Sequence, residues 1–185
     1  MTILLESICS LCSLYIQEYN EGNFKMNVVK TALMGYPGVG KSTILKLLSG
    51  RSEQDLKKAY DPTIGVDFLA MDLWNGLKAC LWDLGGQSQF RSLWDSFLPG
   101  TGLICLVTDS TPENVQKCKD IVRKYKNYNG ARLIALANKQ DLPNSMKPEE
   151  IEKELGIKTI GMVATNMQTR RTLFNILQKA FTSYY

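Results

Sequence analysis

The chain has 185 residues, 44% hydrophobic and 22% charged, which fits one globular domain with a short appendage and excludes disordered, collagen-like and coiled-coil classes. It contains no histidine, so Ser-His-Asp and Cys-His nucleophiles and the usual histidine zinc sites are excluded, leaving carboxylates, amides, lysine, backbone donors or a hard metal for any catalysis. The net charge of +4 divides into −3 over residues 1–24 and +7 over the rest, a mildly basic body that suits a polyanionic ligand and is too scattered for nucleic acid.

Residues 1–19 place Thr2, Glu6, Ser10, Ser13 and Gln17 at steps of three and four in an otherwise apolar run, the period of an amphipathic helix. The segment lacks the basic start and small-residue cleavage site of a signal peptide and the arginines of a transit peptide. Two glutamates interrupt it, and it is near the lower length limit for a membrane span. Residues 20–23 read as a linker. The expected organisation is an amphipathic helix and linker over 1–24 and one domain over 25–185.

From Lys25 onward strands and helices alternate. Val28–Met34 is apolar and β-branched and ends in a glycine-rich loop, with a helix through 44–48 behind it. Residues 50–65 are polar and irregular. Val66–Trp74 and 77–83 flank Asn75-Gly76, a type I′ hairpin signal. A buried strand at 103–109 precedes a helix from 112 to about 127. Arg132–Ala137 is a second buried strand, followed by a short helix at Pro148–Leu155, a weak strand at 159–163 and a closing helix from 169 to about 180. Such units imply right-handed crossovers and a mostly parallel sheet covered on both faces. Its ligand belongs at the carboxyl ends of the strands, in the loops after Met34, Asp83, Asp109 and Ala137. The five cysteines, Cys9, Cys12, Cys80, Cys105 and Cys118, are odd in number, and three sit in apolar runs or a helical pattern, which reads as reduced thiols.

The sharpest motif is Gly35-Tyr36-Pro37-Gly38-Val39-Gly40-Lys41-Ser42, followed by Thr43 at the start of a helix. A G-x-x-x-x-G-K-S stretch between strand and helix is a phosphate-binding loop. Its backbone N–H groups and the helix N-terminus form a cradle for phosphate oxygens, with Lys41 for the β- and γ-phosphates and Ser42 for Mg²⁺. Asn138-Lys139-Gln140-Asp141 follows a buried strand. A carboxylate at Asp141 accepts from two donors on one edge of guanine, a pair that adenine lacks; expected to be buried, it would make the choice of base strict. Asn138 would tie the loops together and the Lys139 stem would lie along the base. Trp82-Asp83-Leu84-Gly85-Gly86-Gln87 offers a carboxylate for Mg²⁺, a side-chain-free N–H at Gly86 for a γ-phosphate and an amide at Gln87 for an attacking water. Thr63, in Asp61-Pro62-Thr63-Ile64-Gly65, could place its hydroxyl on Mg²⁺; locally, a turn built on Pro62 explains that stretch equally well.

Together these motifs resemble the Ras-like small GTPases, and within them the ADP-ribosylation factor (Arf) family, in Pro62-Thr63-Ile64-Gly65, Trp82-Asp83-x-Gly85-Gly86-Gln87, Arg91-x-Leu93-Trp94 and Asn138-Lys139-Gln140-Asp141-Leu142-Pro143-Asn144. The resemblance covers about residues 26–182. It implies a six-stranded, mostly parallel sheet with one antiparallel edge strand and helices on both faces. It implies GTP and GDP as nucleotides, with Mg²⁺ held by Ser42 and Thr63 and, at one remove, by Asp83. Gln87 is then the catalytic glutamine, acting with Lys41 and Thr63. Asn138 and Asp141 read guanine, and Ala164-Thr165 matches the last base-contacting loop, with the Ala164 N–H on the guanine carbonyl. The implied role is a monomeric switch in membrane trafficking, with an exchange factor, an arginine-supplying activating protein and effectors. It would be cytoplasmic and reversibly peripheral on membrane through residues 1–19. The implied switch slides the hairpin and evicts that helix when GTP is loaded. Thr2 removes the myristoylation signal, so insertion would rest on apolar area. Val66, Trp82 and Phe97, with Trp94 nearby, are a candidate exposed effector surface; the competing reading is ordinary core. Pro37 stands where Ras proteins carry glycine and Arf proteins an acidic residue, and it offers no N–H. That keeps open a nucleotide-binding scaffold with little or no hydrolysis.

Overall fold

The computed structural model describes residues 28–57, 62–74 and 77–182. The helix expected at 1–19, its linker and the Asn75-Gly76 turn lie outside the described residues.

Six strands form one sheet: β1 (Val28–Met34), β2 (Val66–Trp74), β3 (Leu77–Leu84), β4 (Thr101–Thr108), β5 (Arg132–Ala137) and β6 (Thr159–Gly161), in the order β2-β3-β1-β4-β5-β6. β2 is the antiparallel edge and every other pairing is parallel. Successive side chains alternate between two cores. Ala32, Met34, Trp82, Leu84, Ile104 and Leu106 face one; Leu33, Leu81, Leu103, Cys105 and Val107 face the other. Near-continuous apolar runs are the sequence image of strands covered on both sides.

Helices fill both faces. α1 (Lys41–Leu48) and the closing α7 (Thr169–Thr182) cover one; α5 (Pro112–Tyr125) and α6 (Pro148–Leu155) cover the other. Their starts obey capping chemistry. Thr111 Oγ1 accepts the Asn114 N–H ahead of Pro112, and the Glu150 carboxylate accepts the Lys147 N–H at 2.8 Å. α5 ends two residues earlier than its pattern suggests, because residues 126–130 close a turn in which the Tyr128 N–H reaches the Tyr125 carbonyl.

The irregular stretch 50–65 holds a one-turn helix, α2 (Glu53–Leu56), capped by the Ser52 hydroxyl on the Asp55 N–H. Two more one-turn helices, α3 (Ser88–Arg91) and α4 (Trp94–Phe97), follow β3. Helices this short have little helical stability of their own, and contacts made after folding decide them.

The expected exposed aromatic surface is corrected. Trp82, Trp94 and Phe97 are 2%, 3% and 6% exposed, and Val66 is half-buried. The reason is packing: α4 lies on the β3 face, with the Trp82 and Phe97 rings 6.2 Å apart and the Lys30 amine 4.0 Å above the Trp82 ring. The exposed large apolar side chains near there are Ile64 and Phe68. Cys80, Cys105 and Cys118 are buried thiols, and burial pushes Cys105 and Cys118 up to about 12, where they stay protonated and inert. Trp82→Ala should cost about 3–5 kcal/mol in urea unfolding; a cost below about 0.5 kcal/mol, typical of a surface position, would return the indole to solvent.

Candidate functional site

The cleft forms where β1, β3, β4, β5 and β6 all end. β1 ends at Met34 and the chain turns through 35–40 into α1. Gly40 shows why a side chain is excluded in this loop: its φ is 102°, and a Cβ there would stand 2.2 Å from the Asn138 amide nitrogen. Lys41 opens α1, and its amine donates to the carbonyls of Gly35 at 3.1 Å and Tyr36 at 3.0 Å. Burial holds its ammonium below the ordinary lysine range, opposed by the nearby Asp83 charge.

The parallel register of β1 and β3 pairs Leu33 with Asp83 and so sets this carboxylate beside the loop. Ser42 Oγ donates to Asp83 Oδ2, Thr63 Oγ1 donates to the same oxygen at 3.0 Å, and the two hydroxyls are 2.8 Å apart. Asp83 is fully buried, and its other oxygen has no partner among the described residues. Burial pushes its carboxyl above the ordinary range, against the Ser42 hydrogen bond, the Lys41 charge and the Thr63 hydrogen bond. Three converging oxygens and one bare buried carboxylate oxygen are the donor set of a hard divalent cation, so the residues present fit magnesium.

Gly86 follows β3 against the loop. A Cβ there would lie 2.5 Å from the Gly35 carbonyl oxygen and 2.7 Å from the Lys41 amine, so main chain alone fits. Gln87 is half-buried at the N-terminus of α3, and its Oε1 accepts from Gln89 Nε2 at 3.1 Å.

At the far end Asn138 braces the loops. Its Nδ2 donates to the Val39 carbonyl at 2.8 Å, and its Oδ1 accepts the Ala164 N–H at 2.9 Å. Its own N–H reaches the Thr108 carbonyl, and its carbonyl accepts from Ser110 Oγ at 2.6 Å. Lys139 then adopts φ 61°, the left-handed region, before the turn to Asp141.

Of the residues predicted for the site, Gly38, Gly40, Lys41, Ser42, Thr43, Thr63, Gly86, Gln87, Asn138, Lys139, Asp141, Ala164 and Thr165 line one cleft of about 280 Å³. Gly35, Pro37, Val39 and Asp83 do not. Gly35 lies against the Val107 carbonyl, Pro37 is exposed outside, Val39 is core, and Asp83 lies beneath the floor. Two expectations change. Asp141 is exposed at the rim rather than buried, because it stands on the turn that follows the end of β5. The Ala164 N–H is engaged by Asn138, because the Met162 N–H bond to the Ala137 carbonyl carries the loop directly past that amide. Leu142 and Val163 also line the cleft and were missed. Their signal was weak: each is an apolar neighbour of a predicted residue, and Leu142 is 45% exposed.

The sequence matches the model of the ADP-ribosylation factor family over residues 16–179. It is also similar to ADP-ribosylation factor-like protein 2 of Drosophila melanogaster, at 30% identity over 140 residues, covering 74% of this chain and 73% of that protein. Asn138→Ala should lower stability in ligand-free urea unfolding by about 3 kcal/mol, since it orphans the Val39 carbonyl and the Ala164 N–H. A loss below about 0.5 kcal/mol would mean that the brace carries no load.

Proposed function

The chain belongs to the ADP-ribosylation factor family of small GTP-binding switches, and from that membership we propose that it binds GTP and GDP with magnesium, hydrolyses GTP slowly and moves its N-terminal segment onto membrane when GTP is loaded. The observation that carries the reading is one cleft with a phosphate cradle at one end and an open, paired-acceptor carboxylate at the other.

Each end has its task. The Lys41 amine leaves two carbonyls for phosphate oxygens, a trade of neutral acceptors for charged ones that favours the anion. Ser42, Thr63 and Asp83 would hold magnesium, which when bound neutralises charge on the phosphates. At the other end Asp141 accepts from the two donors of the guanine edge, and covering that carboxylate with any other base leaves it unpaired. Lys139 and Leu142 give the base its flanks. Asn138 keeps the two ends at a fixed separation.

Gly86 supplies an N–H to the terminal phosphate. Gln87, released from Gln89, orients the attacking water. Among the described residues no arginine lines the cleft, which supports a slow intrinsic rate and a need for an arginine from an activating partner. Thr63, just before β2, and Gly86, just after β3, approach the same cradle from one end of the β2–β3 pair. Loss of the terminal phosphate would release both together, which couples nucleotide state to the position of that pair. The amphipathic pattern of residues 1–19 supports a membrane-seeking partner for that movement, in a cytoplasmic, reversibly peripheral protein acting in membrane traffic.

Single-turnover assays with GTP and ATP test the chemistry. Wild type should release phosphate from GTP and not from ATP, and Gln87→Leu should be slower by about 10- to 100-fold. Equal rates for wild type and variant would leave a nucleotide-binding scaffold. Flotation with liposomes tests the coupling: the non-hydrolysable GTP form should float and the GDP form should stay in solution. Equal partitioning in both states would remove the membrane switch.

A further inference from the structure

Tyr36 enters the reading above only through its backbone carbonyl, and Arg91 does not enter it at all. Yet the Arg91 guanidinium lies over the Tyr36 ring, its Cζ 4.9 Å from the centroid. The Tyr36 hydroxyl donates to the Lys117 carbonyl of α5 at 3.2 Å, which fixes the ring. Arg91 Nε is buried and has no hydrogen-bond partner among the described residues, so the ring face is the group that holds this side chain in place.

Each member of the stack is one bond from a reacting group. The Tyr36 carbonyl accepts the Lys41 amine at 3.0 Å, and its carbonyl carbon lies 2.7 Å from where a Cβ on Gly86 would stand. Arg91 closes the single turn of α3, its N–H donating to the Gln87 carbonyl at 3.1 Å. Neither side chain lines the cleft, so both act through neighbours. The segment after β3 is tied at Gly85, through the Trp94 indole and the Gly65 carbonyl, and again at Asp95, through Tyr125 and Lys124. Between those ties a four-residue helix carrying the catalytic glutamine needs a support of its own.

We propose that the Tyr36–Arg91 stack is a latch between the phosphate loop and the helix carrying Gln87, and that both are positioning residues for hydrolysis. The proposal rests on the hydrolysis reading. A latched helix presents Gln87 to the water in one geometry; an unlatched one samples many, and the rate falls while ground-state binding of GDP does not.

The test uses full-length protein. Single-turnover GTP hydrolysis and fluorescent-GDP affinity are measured for wild type, Arg91→Ala, Tyr36→Leu, the double variant and Tyr36→Phe. Arg91→Ala and Tyr36→Leu should each slow hydrolysis by about 5-fold. GDP affinity should stay within about 2-fold. The double variant should be no slower than either single one, because both remove one contact. Tyr36→Phe, which keeps the ring, should be faster than Tyr36→Leu by about the same 5-fold factor. Unchanged rates, additive losses, or rate and GDP affinity falling together would overturn the latch. Arg91→Met repeats the test without the charge if Arg91→Ala fails to fold. If wild type itself releases no phosphate, the hydrolysis reading falls and the latch is read by fluorine NMR of 5-fluorotryptophan protein loaded with a non-hydrolysable GTP analogue. The Trp94 resonance, assigned with Trp94→Phe, should shift or broaden in Arg91→Ala and Tyr36→Leu; an unmoved resonance overturns the latch.

Discussion

Asp83 is a carboxylate with no access to water, and the site is arranged around that constraint. Burying it without a partner would be costly. Two hydroxyls crowd one of its oxygens, a lysine charge lies nearby, and the second oxygen is left bare. That residual need is specific: a small hard cation meets it, and a water-filled surface niche would not. The same residue fixes where Ser42 and Thr63 must be, so one buried charge organises groups from three separate parts of the chain.

The sheet makes this affordable. β1 and β3 run parallel at the centre, and their register brings Asp83 level with the last turn of backbone before the phosphate loop. Strands covered on both faces hold their register because a one-residue slip would exchange the side chains of the two cores and undo the packing of both. The ends of these strands are therefore rigid while the segments beyond them are short helices and turns. Rigid floor and adjustable walls suit a protein whose two states differ by one phosphate group.

The two ends of the cleft are coupled through a neutral residue. Asn138 bonds the phosphate loop with one side-chain atom and the last base loop with the other. A charged residue there would need a counter-charge inside the core; an amide supplies a donor and an acceptor at once. The Ala164 N–H, which the family resemblance would set on the base, is held here by the Asn138 side chain. Outside the cleft, the stack of Arg91 on Tyr36 joins the phosphate loop to the short helix that follows β3.

The sequence alone determined most of the fold. Apolar runs of the right length and β-branching gave Val28–Met34, Val66–Trp74 and Arg132–Ala137 with their observed ends, and the helix that begins at Pro112 was legible too. The phosphate loop, Asp83, Gln87 and Asn138 were equally legible, because close backbone approach and charge recognition permit few residue types at those places. What tertiary structure decided was exposure and pairing. Trp82, Trp94 and Phe97 carry no local mark that separates a core aromatic from a docking one; only α4 lying on β3 made that choice. The one-turn helices at 53, 88 and 94 lack the length to show a period. The open position of Asp141, the capture of Ala164 by Asn138 and the meeting of Arg91 with Tyr36 join residues far apart in the chain, and spacing in sequence holds no record of such contacts.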